Sequence, residues 1–185
     1  MGLTIADTYY LKAKAATGGF CSDWDEVCES LNYALSYDEN HCASLCLLGE
    51  VYARNLNQYT QAFNCFDKVI AINSNYIDVY PMYARYLIWA DEIERAYKLL
   101  QFAFTIKGID KGLLYATTAY ALETNGHYKV ALKQLKEAKR HSYNSSYLYF
   151  IDDEIDRVKQ KLKLDKVKKK KKKKKKSSSK KGKKK

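Results

Sequence analysis

Small and large apolar residues recur along the chain with a period of 34 or 35 residues. One series consists of the small side chains Val27, Ala62, Ala96 and Ala131. A large apolar side chain follows each of them four positions later, at Leu31, Phe66, Leu100 and Leu135. Because a spacing of four returns to the same face of a helix, the pattern predicts amphipathic helices. A fixed period of this length predicts helical repeats, each of which buries its apolar face by stacking on the next.

A further helix is predicted before each of these, and its residues identify the type of repeat. The second copy carries the motif most clearly, with Leu45, Leu48, Gly49 and Tyr52. The third carries Tyr80, Tyr83, Ala84 and Leu87, and the fourth carries Tyr115, Thr118, Ala119 and Leu122. At these spacings the chain resembles tetratricopeptide repeat (TPR) proteins over about residues 4–141. It departs from the motif at Leu45, which is usually aromatic, and at Ser74, which is usually proline.

The resemblance implies an all-α protein, a right-handed α-solenoid of about four TPR-like helix pairs. The repeats cover about residues 4–41, 42–76, 77–111 and 112–144. Turn-forming residues separate the two helices of each pair, at Gly18–Gly19, Asn55–Asn57, Ala90–Asp91 and Asn125–Gly126. Pro81 is compatible with a helix that Asp78 caps, because a proline in the first turn removes no helical hydrogen bond.

Residues 145–164 predict one further amphipathic helix. Its apolar residues lie at spacings of three and four, at Leu148, Ile151, Ile155, Val158 and Leu162. A solenoid needs a final helix of this kind to cover its exposed apolar end. We interpret the segment as a capping helix, and a partner-binding helix is the alternative.

Charge is divided unevenly along the chain, which has a formal net charge of +12. Residues 165–185 contain 15 lysines and one aspartate, so residues 1–164 have a net charge of −2. No apolar residue follows Val167, and the like charges repel, so nothing offsets the entropy of ordering this segment. The sequence therefore predicts a disordered lysine-rich tail at 165–185. Such a tail can contact RNA or another polyanion nonspecifically, and the alternative is an extension without function.

The sequence offers no basis for catalysis, a metal site or a cofactor. It has no glycine-rich phosphate loop, and His41, His127 and His141 are far apart in the repeat map. Cys42 and Cys46 are one helical turn apart, but no second pair completes a tetrahedral metal site. We therefore expect a protein that is not an enzyme. Since neither a signal peptide nor an apolar membrane span is predicted, we expect reduced cysteines and a cytoplasmic location.

In TPR proteins the first helix of each repeat lines a concave groove that binds partners, and the resemblance implies the same here. The register assigns to this groove Tyr10, Lys14, Cys46, Glu50, Arg54, Asp78, Met82, Arg85, Trp89, Tyr120 and Glu123. Arg85 and Trp89 lie one helical turn apart, and these two residue types dominate interface energetics. They are the predicted anchor, and packing of Trp89 against the next repeat is the alternative.

The sequence thus predicts a protein–protein interaction scaffold or adaptor that binds a peptide or protein through the groove. The alternative is a nucleic-acid- or ribosome-associated protein that is localised through its lysine-rich tail. Chaperone binding through a carboxylate clamp is not predicted, because the clamp positions lack the required cations. Those positions hold Tyr10, Lys14, Leu47, Asp78 and Met82, or, one repeat later, Cys46, Glu50, Met82, Leu113 and Thr117.

Overall fold

The computed structural model of the chain describes residues 2–18 and 22–181, with side chains through residue 167. All regular structure in these residues is α-helical, which confirms the predicted class. The helices are α1 (Ile5–Ala16), α2 (Trp24–Tyr37), α3 (Cys42–Arg54), α4 (Tyr59–Ile72), α5 (Val79–Trp89), α6 (Ile93–Ala103), α7 (Lys111–Thr124), α8 (Tyr128–Arg140) and α9 (Ser145–Lys181). Each predicted repeat contains one helix pair. The helices form two compact units, Met1–Ile109 and Asp110–Lys185.

The first unit consists of the pairs α1/α2, α3/α4 and α5/α6. The first helices of consecutive pairs lie side by side, because α1 contacts α3 and α3 contacts α5. The small residues that open the second helices, Val27, Ala62 and Ala96, are fully buried. A small side chain at each helix crossing lets the two backbones approach closely, as the repeat pattern predicted.

The turns within the pairs share one backbone feature. Asn57 and Asp91 have positive φ angles of 54° and 63°, and Gly126 of the second unit has a φ of 74°. These three residues are separated by 34 and 35 positions, so the left-handed residue recurs at the same point of the repeat. Asparagine, aspartate and glycine are the residues that adopt this conformation most readily. The three turns are therefore in the places that the sequence predicted.

The start of α5 differs from the prediction. Pro81 is the third residue of α5 and lies in its first turn, as expected. However, Asp78 makes no side-chain capping hydrogen bond, and its backbone is already helical, with φ −69° and ψ −24°. A capping side chain normally accepts from the second or third N–H of the helix, from an extended backbone. Pro81 occupies that third position and has no N–H to donate, which removes one of the two donors.

The second unit consists of α7, α8 and α9. Its core contains Ala131, Leu135 and Ala138 of α8 packed with Ile151, Ile155 and Val158 of α9. Because α9 packs on α8 in this way, the compact unit includes both the fourth repeat and the helix that follows it.

Helix α9 runs past the predicted end of the capping helix. The sequence pattern placed the end of this helix at 164 and predicted a disordered tail from 165, whereas helical backbone continues to Lys181. Lysine is a good helix former, and neither glycine nor proline interrupts residues 145–181, so the helix can extend. No described side chain after Val158 is buried. Residues 182–185 and the side chains from 168 onward lie outside the described part of the structure. Disorder of the tail in solution therefore stays a prediction.

Substituting Gly49 tests how closely α3 and α4 approach each other. A Cβ atom at Gly49 would lie 2.7 Å from Cε1 of Phe66, whose ring is buried and packs against Tyr83 and Tyr86. Gly49→Ala gains about 1 kcal/mol of helix propensity but costs about 1–3 kcal/mol through overpacking. We expect a net loss of about 1 kcal/mol in thermal denaturation followed by circular dichroism. In a Phe66→Leu background the same substitution should cost less, and an equal cost would contradict this explanation.

Candidate functional site

The predicted groove residues belong to different compact units. Most lie on α1, α3 and α5 or directly before α5, whereas Tyr120 and Glu123 lie on α7 of the second unit. The helices that carry the first set lie side by side, because α1 contacts α3 and α3 contacts α5.

A cluster of side chains connects α3 and α5, and we name it the α3–α5 cluster: Glu50, Arg54, Tyr86 and Trp89. The hydroxyl of Tyr86 donates a hydrogen bond of 3.2 Å to Oε1 of Glu50. Arg54 Nη1 lies 3.7 Å from the same oxygen. Trp89 packs edge-on against Tyr86, with 5.2 Å between ring centroids. Burial, and then the charge of Glu50, raises the pKa of Tyr86, which therefore stays a neutral donor at physiological pH.

The outer side of this cluster is accessible to a partner. Trp89 is 46% exposed, and Arg54 and Arg85 are exposed. Arg85 makes no ion pair with any residue that the structure describes. The aromatic contact of Trp89 is with Tyr86 of its own helix, which fixes one edge of the indole and leaves much of the ring uncovered. A pocket of about 130 Å³ opens beside Glu50 and Arg54, between the α1–α2 turn and α3.

The first repeat contributes a second, smaller group to the same surface. Lys14 Nζ lies 5.7 Å from the centre of the Tyr10 ring, and this ring contacts His41 edge-on at 5.8 Å. Lys14 is exposed and Tyr10 is half-buried, so both can take part in an interface. Asp78 is exposed and Met82 is half-buried at the beginning of α5.

A chain of polar contacts beneath Tyr10 has the composition of a catalytic triad. His41 lies 2.7 Å from the hydroxyl of Ser44 through Nδ1 and 3.1 Å from Oδ1 of Asp7 through Nε2. Hydrogen bonds from the backbone N–H and hydroxyl of Thr4, and then from His41, lower the pKa of Asp7. However, Ser44 is fully buried, so no substrate can reach its hydroxyl. The arrangement links α1 to α3 and positions the first repeat against the second.

The described cysteines of the first unit belong to no cluster that could hold a metal ion. Cys28, Cys42, Cys46 and Cys65 are free thiols, and Cys21 lies outside the described residues. Cys46, assigned to the groove by the register, is instead buried, and burial raises its pKa to about 12. A thiol of this kind is neither a reactive nucleophile nor a ready metal ligand. The described residues contain no group of three histidine, cysteine or acidic side chains placed to hold a metal ion.

Glu123 is wrongly placed by the sequence prediction, because it is not exposed in a groove. Its side chain is 3% exposed and pairs with two cations of α9. Arg157 Nη2 lies 2.5 Å from Oε2, and Lys161 Nζ lies 2.7 Å from Oε1. Arg157 also contacts Glu154, whose pKa is raised by burial. Helix α9 covers this end of α7, and only half-buried Tyr120 of the two predicted α7 residues is partly accessible.

Comparison with solved structures identifies the class of fold. The crystal structure of PilW, described as a widely conserved type IV pilus biogenesis factor, matches with a TM-score of 0.66 and 14% identity. The match covers 74% of this chain and 62% of that one, so the chain spans less than two thirds of the PilW structure. A MamA crystal structure matches with a TM-score of 0.58 and 16% identity, covering 86% of this chain and 88% of MamA.

A third match carries the repeat type in its description. TTC0263, a thermophilic TPR protein of Thermus thermophilus, has a TM-score of 0.65 and 14% identity, with 85% of this chain and 81% of TTC0263 covered. No protein-family model and no curated sequence matched the chain. At these identities the likeness concerns the fold. The chain has the TPR-like fold that its repeat pattern predicted.

None of the described helices is both long enough and apolar enough to cross a lipid bilayer.

Glu123→Ala should destabilise the second unit. The substitution leaves Arg157 and Lys161 without their shared buried acceptor, and removing one partner of a fully buried pair costs about 3–5 kcal/mol. Because both cations are about half exposed, we expect a smaller loss of about 2 kcal/mol in urea denaturation. Glu137→Ala, which breaks the exposed pair with Arg140, is the matched control and should cost about 0.5 kcal/mol or less. Equal effects of the two substitutions would contradict the buried role of Glu123.

Proposed function

We propose that this protein is a protein–protein interaction scaffold, and that the first unit binds a peptide or protein segment along α1, α3 and α5. The observation that carries the proposal is the exposed outer side of the α3–α5 cluster together with Arg85. The likeness to TPR structures supports a binding role at the level of the fold. The proposed role is binding and not catalysis, and a cytoplasmic location remains part of the proposal.

The cluster has the properties of a pre-organised anchor. Trp89 offers a large apolar surface whose position is fixed by Tyr86, and Tyr86 is in turn held by its hydrogen bond to Glu50. An anchor that is already ordered loses little side-chain entropy when a partner binds. Tryptophan and arginine are also the residues that most often dominate binding energy.

The charges around Trp89 restrict the chemistry of the partner. Glu50 is already engaged by Tyr86 and Arg54, whereas Arg85 and Lys14 have no acidic partner among the described residues. We therefore propose a segment that places an apolar or aromatic side chain on Trp89 and a carboxylate near Arg85. This arrangement differs from a carboxylate clamp, whose lysine and asparagine positions are not reproduced here.

Replacing Arg85 and Trp89 together by alanine should abolish partner binding and leave the helical signal largely intact, because both side chains are exposed. Affinity purification from lysate with nuclease treatment, followed by mass spectrometry, compares the double variant with the unaltered chain. Lys98→Ala with Phe102→Ala is the matched control. These two residues have the same spacing and are also exposed, but they lie on α6, outside the proposed surface.

Two results would contradict the proposed surface. One is an equal loss of partners in the control variant. That result would show that partner binding does not depend on the particular position of the exposed aromatic residue and cation. The other is loss of the helical signal in the Arg85 and Trp89 variant, which would show that Trp89 is a packing residue.

The lysine-rich segment supports a second candidate function, association with nucleic acid or ribosomes. Residues 166–185 contain 15 lysines and no acidic residue, a charge density suited to phosphate groups. They contain neither arginine nor an aromatic side chain, so sequence-specific base recognition is not expected.

Deleting residues 166–185 should leave the melting temperature nearly unchanged, because no described side chain after Val158 is buried. The formal net charge should change from +12 to −3. Retention on heparin at physiological salt should disappear, and for the full chain it should fall steeply as salt rises. If the chain without residues 166–185 keeps full retention, the polyanion contact lies in the folded part and not in the lysine-rich segment. A large fall in melting temperature would show that the segment packs on the folded part.

A further inference from the structure

One face of α8 carries a line of cations, which we name the α8 stripe: Lys129, Lys133, Lys136 and Arg140. They are spaced by four, three and four residues and are all exposed, on the side opposite the buried Ala131, Leu135 and Ala138. Arg140 pairs with Glu137 of the same helix. The three lysines have no acidic partner among the residues that the structure describes.

The repeat fold does not require cations at these positions. The register-equivalent residues of α6 are Glu94, Lys98, Gln101 and Thr105, and those of α4 are Thr60, Asn64, Asp67 and Ala71. In α2 they are Asp25, Glu29, Asn32 and Ser36. The same exposed face is therefore acidic in the first repeat, mixed in the middle and purely cationic in the fourth. Solvation of a helix face explains polar residues there, but it does not explain four cations.

The stripe is also unfavourable for the helix that carries it. Lys129 is the second residue of α8, where the helix dipole disfavours a positive charge. Lys129 and Lys133, and likewise Lys136 and Arg140, are like-charge pairs four residues apart, which destabilise a helix. A cationic line that opposes helix stability and has few acidic neighbours is suited to an anionic partner.

We propose that the α8 stripe is a docking surface for the phosphate backbone of nucleic acid, so that the folded second unit contributes to binding alongside the lysine-rich segment. The inference rests on the second candidate function, which it extends from the segment to a defined helix face. The stripe spans about 16 Å along α8 at 1.5 Å per residue, and successive cations are about 5–6 Å apart. A row of this length can neutralise several phosphates of one strand.

A membrane surface fits the stripe less well. A helix that binds the bilayer interface places an apolar face among the lipids beside its cations. The apolar face of α8 is instead buried in the core with Ile151, Ile155 and Val158 of α9. Val130 is the one large apolar side chain of α8 that is substantially exposed, at 43%.

The test uses the full chain with Lys129, Lys133 and Lys136 all changed to glutamine. Binding to a labelled oligouridine strand, and separately to a DNA duplex, is measured over a range of salt concentrations. The slope of log affinity against log salt should fall by about 2 for the single strand, and by nearly 3 for the duplex, because three phosphate contacts are lost. Changing all three lysines to arginine keeps the charges and should restore the slope.

The control removes the same charge from the first unit, by changing Lys68, Lys98 and Lys107 to glutamine. All three are exposed, so the net charge is matched while the α8 stripe is intact. Lys68 also donates a hydrogen bond to the carbonyl of Glu39, so the melting temperature of this control is measured as well. The control should keep the slope of the unaltered chain. Melting temperatures within a few degrees of each other show that the variants are folded.

Three results would overturn the inference, and they are distinguishable. If the unaltered chain binds neither the single strand nor the duplex, both the stripe proposal and the second candidate function fail. If the chain binds but the stripe variant keeps the full slope, or loses no more than the control, only the stripe proposal fails. If the stripe variant loses binding to vesicles containing anionic lipid but keeps its affinity for both nucleic acids, the stripe serves a membrane surface instead.

Discussion

The close approach of paired helices is the constraint on which the rest of the structure depends. Each second helix has one small, fully buried residue where it begins to cross the first helix of its pair. These residues are Val27, Ala62, Ala96 and Ala131. In the second repeat the first helix contributes Gly49, against which the ring of Phe66 packs directly. Because the backbones meet at small residues, the large neighbours fill the space beside the crossing. The exposed faces of the helix pairs, including those proposed to bind partners, are held in place by these crossings.

This constraint explains why the fold was predictable from the sequence. Small and large residues must alternate at fixed spacings, and residues tolerant of positive φ must recur in the turns, as at Asn57, Asp91 and Gly126. Both requirements are local and repeated, so they leave a periodic signal. The helix pairs and the turns follow from it. The buried face of α9, with Ile151, Ile155 and Val158, was predicted separately, from apolar residues spaced by three and four.

The exceptions have physical causes that act outside the repeat. Glu123 occupies a groove position by register, but it pairs with Arg157 and Lys161 of α9. The rotation of α9 about its own axis decides which of its side chains reach Glu123. That rotation is set by packing that the repeat does not encode. Asp78 does not cap α5 with its side chain, in part because of the neighbouring Pro81. Tyr86 was not assigned a role by sequence, although its position three residues before Trp89 was a usable signal, since such residues are neighbours on a helix.

Packing restricts the residue type at the helix crossings much more than it does on the outer faces of the helix pairs. Positions at the crossings accept only small residues, so they resemble each other in every repeat and say little about function. Positions outside the core differ sharply at one register. On the first helices the equivalent residues are the half-buried Glu50 and Tyr120 and the exposed Arg85. On the second helices they are the exposed residues Asp25, Thr60, Glu94 and Lys129. Since the fold tolerates all of these, the difference between repeats cannot be explained by folding. The positions where one repeat departs from the others, Trp89 with Arg85 on α5 and the cations of α8, are therefore where selection for binding would act.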